Sequence, residues 1–255
     1  MSLLAWRTAY ASTAGTSHAR SGTPCQDAGR CDVLAVAGGE VLVACVADGA
    51  GSAAHSELGA RLVVECFHAV FGDAARAAPA LEWLDRDFAL GWLAMVQDRI
   101  RGLAADMACE ASEFACTALG AVVGETGAGF VQIGDGAIVV GGAGAHAWVF
   151  WPQHGEYANS TFFVTMPDAA ELLQFERRNA PAELALFSDG LERLILDMRT
   201  RTVHSPSLRP ILGWLAATGP ALDGLPSPVV AAFLHSEPVN RRTDDDKTLV
   251  LAVRA

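Results

Sequence analysis

The chain has 255 residues, 51% of them hydrophobic, and a formal net charge of −11, enough apolar material for one sizeable core. The acidic balance argues against nonspecific binding to nucleic acid or an anionic membrane, since both need a basic face. It would also repel a phosphorylated substrate unless bound cations reverse the sign locally.

No apolar run reaches the ~18 residues needed to span a bilayer. The N-terminal MSLLAWRTAYASTAG has no basic start before a clean apolar stretch, so no secretory signal is expected. The six cysteines include no C-x-x-C pair, which suits reduced, structural thiols in a cytoplasmic protein. Residues 33–47, VLAVAGGEVLVACVA, set two β-rich runs around Gly38-Gly39, a hairpin pattern. The second run ends at Asp48-Gly49. Leu58, Leu62, Cys66 and Val70 then recur every four residues, which predicts a helix with Ser52 as its N-cap. A second helix is predicted from about Pro79 to about residue 105, on the period of Leu81, Leu84, Phe88, Trp92 and Met95. Its tryptophans, with Trp214, read as core.

Ala115–Val123, Gly129–Ile133 and Ala137–Val140 read as strands, the last just after Asp135-Gly136. Residues 141–160 read as loop with a short strand at Ala147–Phe150. Thr161–Thr165 reads as a further strand, with a short helix after Pro167. Ala182–Phe187 is an apolar run ending at Ser188-Asp189-Gly190, and Leu191–Leu196 looks helical. Prolines at Pro206, Pro210, Pro220, Pro226 and Pro228 predict two helices broken by turns. Thr248–Val253 is a buried closing strand behind Asp244-Asp245-Asp246. No internal repeat, low-complexity linker or charge block divides the chain, so residues 1–255 are expected to form a single domain.

Three acidic positions share one context. Asp48 ends LVACVA, Asp189 ends LALFS, and Asp246 immediately precedes KTLVLAV. Any single Asp-Gly is an ordinary turn. Here the flanking strands are almost wholly apolar, so the carboxylates stand at the edge of a core. Gathered there, they would repel one another unless protonated or neutralised by cations. All-oxygen ligation suits hard ions such as Mg²⁺ or Mn²⁺ rather than zinc.

The ordered blocks ADG (47–49), GDG (134–136), SDG (188–190) and DDKT (245–248) resemble the type-2C, or PPM-type, metal-dependent protein serine/threonine phosphatases, in a divergent bacterial branch. The upstream SHARSGTPCQDA (17–28) is similar to the family's arginine-plus-acidic entry motif. The resemblance spans about residues 15–254. It implies an α+β fold, a four-layer αββα sandwich of two antiparallel sheets flanked by helices. It also implies two Mg²⁺ or Mn²⁺ ions, with a third as an open alternative. Asp48 would bridge two ions, Asp189 and Asp246 would complete the first site, and the Gly49 carbonyl and Asp27 would serve the second. The ions would activate a water for in-line attack on phosphoserine or phosphothreonine. The implied partners are a phosphorylated protein substrate and a cognate Ser/Thr kinase.

The pattern also departs from the family. The position usually held by a phosphate-clamping arginine is Gly22, with Arg20 and His18 as nearby substitutes for substrate binding. Gln26 replaces the acid usual before Asp27. Ala50 stands where some members carry a histidine that protonates the leaving group. Glu156 is the candidate ligand for a third ion. Asp244 and Asp245 compete with Asp246, which is preferred because it directly precedes Lys247-Thr248. Asp135 reads as structural, and His55 as a structural or surface histidine. Gly22, Gln26 and Ala50 keep one rival open, a pseudophosphatase that binds a kinase or phosphoprotein without turnover; a third reading keeps the phosphoesterase and changes its substrate to a small metabolite.

Overall fold

The computed structural model describes residues 5–142, 144–155, 161–218 and 225–255. In chain order it contains β1 (Trp6–Thr13), α1 (Thr16–Ser21), β2 (Ala28–Val36), β3 (Gly39–Ala47), α2 (Ser56–Ala77), α3 (Arg86–Asp106), β4 (Ala118–Val123), β5 (Gly127–Ile133), β6 (Ala137–Gly142) and β7 (Ala145–Trp148). There follow α4 (Ala169–Leu172), β8 (Gln174–Asn179), β9 (Glu183–Phe187), α5 (Glu192–Ile195), β10 (Leu196–Asp197), β11 (Thr202–Val203), α6 (Ser205–Ala217), α7 (Pro228–Leu234), α8 (Glu237–Asn240) and β12 (Lys247–Arg254).

Ten of the strands form two five-stranded sheets, ordered β1-β12-β9-β6-β7 and β2-β3-β4-β5-β8. All their pairings are antiparallel. The continuous apolar run of β3 follows from its burial on both faces, because side chains alternate along a strand. Val41, Val43 and Cys45 face outward onto α2 and α3, where Phe67, Phe71 and Trp92 pack. Leu42, Ala44 and Val46 face inward against Leu186, Val250 and Ala252 of the other sheet. That other sheet turns Leu249, Leu251 and Val253 outward onto Leu208, Leu212 and Leu215 of α6 and Val230 of α7. The result is the expected four-layer αββα sandwich.

Several local expectations fail for identifiable reasons. Ser52 is not the cap of α2, which begins at Ser56 after a turn closed by Ala53 N–H donating to the Ala50 carbonyl at 3.0 Å. The second helix starts at Arg86, not near Pro79. Asp85 is its N-cap, accepting the Phe88 N–H at 2.8 Å, and residues 78–85 turn instead, with buried Leu81 at φ 61°. Thr161 forms only an isolated bridge to His154, and 161–165 is not a strand. Two strands give no clear sequence signal. β1 mixes polar and apolar residues, and β8, QFERRN, carries charges because it is a sheet edge with one face in water.

Candidate metal centre

Strand register brings the acids together. Ala28 lies opposite Ala47 in the β2–β3 pair, so Asp27 and Asp48 leave adjacent strand ends of one sheet. Phe187 lies opposite Leu249 in the β9–β12 pair, so Asp189 and the Asp244–Asp246 segment leave adjacent ends of the other. These ends open onto a cavity of about 870 Å³ whose walls include His18, Asp48, Gly49, Asp135, Asp189 and Asp245. Asp27 lies just beneath, buried.

Asp48 stands between Asp27 and Asp189, within hydrogen-bonding reach of both. Desolvation, and then the Asp27 and Asp189 charges, push its carboxyl well above the usual range. Desolvation raises Asp27 to about 7, against the Ser188 hydroxyl, which favours the charged form. It raises Asp189 to about 6, with Asp135 adding repulsion and Asp245 a smaller share. Asp135 is itself raised, mainly by burial, against a hydrogen bond from Thr161. With the carboxyls ionised none can donate to another. Oδ1 of Asp27 and Oδ1 of Asp189 are then buried without a donor, a costly arrangement in the absence of a cation.

Among the described residues, no three His, Cys, Asp or Glu side chains close into a complete ligand set. The acids ring the cavity instead. Hard ions such as Mg²⁺ keep several waters and take few protein oxygens, so an open ring of carboxylates matches their habit. The donor set is all oxygen and electrostatically frustrated, and it fits divalent cations.

Asp246, expected to be a ligand, is occupied otherwise. Its Oδ1 accepts the Gly15 N–H at 2.7 Å and His18 Nδ1 at 2.9 Å, and its Oδ2 accepts the Gln26 N–H at 2.6 Å. The side chain is buried and ties β12 to the segment that follows β1. Asp244, Asp245 and Asp246 all border the cavity, but Asp245 is exposed there where Asp246 is buried, and it is Asp245 that repels Asp189. Buried Lys247 donates Nζ to the Asp245 carbonyl at 3.0 Å, fixing that peptide. Two glycines let other chain segments close on this one. A Cβ on Gly15 would lie 2.3 Å from the Asp244 carbonyl oxygen, and one on Gly190 would lie 2.1 Å from that of Asp246. Proximity in sequence to Lys247-Thr248 could not distinguish these two acids.

The remaining expected residues divide. His18 lines the cavity wall, oriented by Asp246. Arg20 does not line it: its side chain is 73% exposed and lies 3.7 Å from Asp244. Gly22, at φ 73°, closes α1 with its N–H on the His18 carbonyl, a left-handed cap that a larger side chain would strain. Gln26 faces the cavity and gives its backbone N–H to Asp246. His55 precedes α2 and packs on Phe114 with ring centroids 5.4 Å apart, a structural role. Glu156 lies outside the described residues.

Sequence reasoning missed several residues around the acids. Thr117 Oγ1 accepts the Asp48 N–H at 2.9 Å, and Ser188 Oγ donates to Asp27 at 2.7 Å. His154 Nε2 meets Glu192 at 2.9 Å on the far wall. Only Ser188 had a sequence signal, as the first letter of SDG.

Comparison with known proteins matches residues 14–232 to the protein phosphatase 2C family model. The chain is 37% identical over 255 residues to serine/threonine-protein phosphatase 3 of Escherichia coli (strain K12), covering 99% of this chain and 100% of that protein. Its fold is similar to PppA, a key regulatory component of T6SS in Pseudomonas aeruginosa (TM-score 0.65, 20% identity, 99% of each chain). It is also similar to the catalytic domain of the serine/threonine protein phosphatase PstP in complex with 2 manganese ions (TM-score 0.61, 17% identity, 97% of each chain).

Proposed function

This chain belongs to the protein phosphatase 2C family and is a metal-dependent serine/threonine protein phosphatase, and from that premise we propose that Asp27, Asp48, Asp189 and Asp245, with the Gly49 carbonyl, hold two Mg²⁺ or Mn²⁺ ions at the cavity. The observation that supports this most is the approach of Asp27, Asp48 and Asp189, whose mutual repulsion a cation relieves. Asp245 takes the place first expected of Asp246, because both oxygens of Asp246 are already bonded, whereas in Asp245 only Oδ1 accepts, from the Asp246 N–H at 2.9 Å.

When bound, the ions supply an activated water and neutralise charge on the phosphoryl group. The protein's own groups do the positioning. Ser188 orients Asp27, Thr117 fixes the backbone at Asp48, and Lys247 fixes the Asp245 peptide. His18 donates its Nδ1–H to Asp246, and in the doubly protonated ring Nε2–H is left to donate to a phosphoryl oxygen. Arg20, far out on α1, leaves that contact to His18.

The substrates are phosphorylated proteins, and we place the enzyme opposite a Ser/Thr kinase in the cytoplasm. No helix among the described residues is long and apolar enough to cross a membrane. The 37% identity to a serine/threonine phosphatase over 255 residues does not favour a catalytically silent module. The deciding assay measures hydrolysis of p-nitrophenyl phosphate and a phosphothreonine peptide with Mn²⁺, beside Asp48→Ala and Asp189→Ala. Activity should fall by at least about 10²-fold in both variants. Equal activity in all three proteins would remove the assignment, and preference for small phosphate esters over the peptide would redirect it to metabolites.

A further inference from the structure

Next to the catalytic cavity, and sharing Arg193, Leu194 and Arg242 with its rim, lies a shallower groove of about 440 Å³. Its outer wall is the small β10–β11 hairpin, which belongs to neither large sheet. Arg193, Arg199, Arg242 and His204 line it, over the half-exposed side chain of Met198. Arg242 reaches back to the Arg193 backbone carbonyl at 3.4 Å, which holds its guanidinium against that side of the groove.

Other arginines nearby are paired: Arg20 with Asp244, and Arg241 with Glu237. Among the described residues, Arg193, Arg199 and Arg242 form no ion pair with a carboxylate. The acid in the groove, Asp197, is engaged in closing the hairpin turn, its Oδ1 accepting the N–H groups of Arg199 at 2.9 Å and Thr200 at 3.1 Å. Arg193 acts electrostatically on Glu192 and Arg199 on Asp197, yet three guanidinium groups against the single carboxylate of Asp197 leave the groove lining cationic in a chain of net charge −11. Long-range repulsion of acidic partners is reversed at that one place.

We propose that this groove docks the polypeptide flanking the phosphorylated residue and selects substrates with Asp or Glu side chains there. The proposal rests on the phosphatase reading of the adjoining cavity. Guanidinium groups pair with carboxylates through parallel hydrogen bonds, and the apolar floor accepts the methylene stems between charges. The selection acts on encounter and binding, so it appears mainly in KM and weakens with salt.

The test uses the full-length, Mn²⁺-loaded enzyme and phosphothreonine peptides of equal length flanked by Asp/Glu, by Ala/Ser, by Lys, or by a second phosphothreonine. The acidic flank should raise kcat/KM by about tenfold over the neutral one at low salt, and the advantage should shrink at high salt. The combined Arg193→Glu, Arg199→Glu, Arg242→Glu variant should prefer the Lys flank, a reversal that loss of folding cannot produce. Turnover of every peptide without preference, or a variant that keeps the acidic preference, overturns the groove assignment and leaves the phosphatase reading standing. A second phosphothreonine favoured far above Asp/Glu overturns the choice of carboxylate. Turnover of no peptide removes the phosphatase reading and this inference with it.

Discussion

Ser188, at the end of β9 in one sheet, donates its hydroxyl to Oδ2 of Asp27, at the start of β2 in the other, at 2.7 Å. The Ser188 Oγ in turn accepts the Thr248 N–H at 2.9 Å. A single side chain thereby joins the two sheets at the edge where the acids meet. Ser188→Ala should leave the fold in place but free Asp27 to rotate and remove a bond that favours its ionised form. Groups that orient a metal ligand commonly contribute 10–100-fold in affinity, so calorimetry should show Mn²⁺ binding weakened by about tenfold. Unchanged affinity would mean that Asp27 is fixed by other contacts.

Asp245 and Asp246 are adjacent but should fail in different ways. Asp245→Asn should cut activity and Mn²⁺ affinity with little change in Tm, since this side chain is exposed at the cavity rim and Asn keeps the Oδ1 that accepts the Asp246 N–H. Asp246→Ala leaves two buried N–H groups and the His18 ring without their acceptor. Bonds to a charged acceptor are worth about 1.5–3 kcal/mol each, so its Tm should fall by several degrees even without metal. Thermal melts and metal titrations on both variants separate the two roles, and interchanged results would restore Asp246 as the ligand.

Metal-free protein should be less stable near neutral pH than in mild acid. Asp27 is raised to about 7 from 3.8, and Asp48 and Asp189 are raised as well. In the folded state these groups hold protons that the unfolded chain releases, so stability falls as pH rises from about 4 through about 7. Mn²⁺ should restore it at neutral pH by mass action. Asp48→Asn should flatten the pH dependence and raise the metal-free Tm at about pH 8, by about 2–4 °C per kcal/mol relieved, while abolishing activity. Melts across this range in the presence of a chelator provide the check, and a rising or flat wild-type profile would count against the carboxylate cluster.

Gly190 should be intolerant of any side chain. Its Cβ would meet the Asp246 carbonyl at 2.1 Å and the Lys247 side chain at 3.1 Å, so Gly190→Ala must push β12 away from β9 at the site. Overpacking of this kind costs about 1–3 kcal/mol, and the displaced Asp189 and Asp245 should weaken Mn²⁺ binding in parallel. By contrast, Gly91→Ala on α3 meets nothing within 4 Å and should raise stability slightly.

Much of this arrangement is legible in the chain itself. The paired apolar runs around Gly38-Gly39, LALF before Ser188 and TLVLAV after Lys247 each mark a strand buried on both faces, and acids at their ends mark the rim. Order along the chain therefore locates Asp27, Asp48 and Asp189. It does not show which way a side chain turns. Asp245 and Asp246 differ by one step in a segment bounded by Gly15 and Gly190, and only the Gly15 and Gln26 amides, some 220 residues or more away in sequence, decide which acid is already occupied. Arg20 illustrates the same limit: near in sequence to His18, it sits on the solvent side of a short helix. The arginine groove is silent in the sequence because Arg193, Arg199 and Arg242 meet only through the hairpin and the loop after α8.

The central claim is best tested by crystals grown with Mn²⁺ and measured for anomalous scattering. Two peaks in the cavity, within ligand distance of Asp48 and flanked by Asp27 on one side and by Asp189 and Asp245 on the other, are the predicted result. Peaks absent from this cavity at saturating Mn²⁺, or bound to Asp246 in place of Asp245, would contradict it.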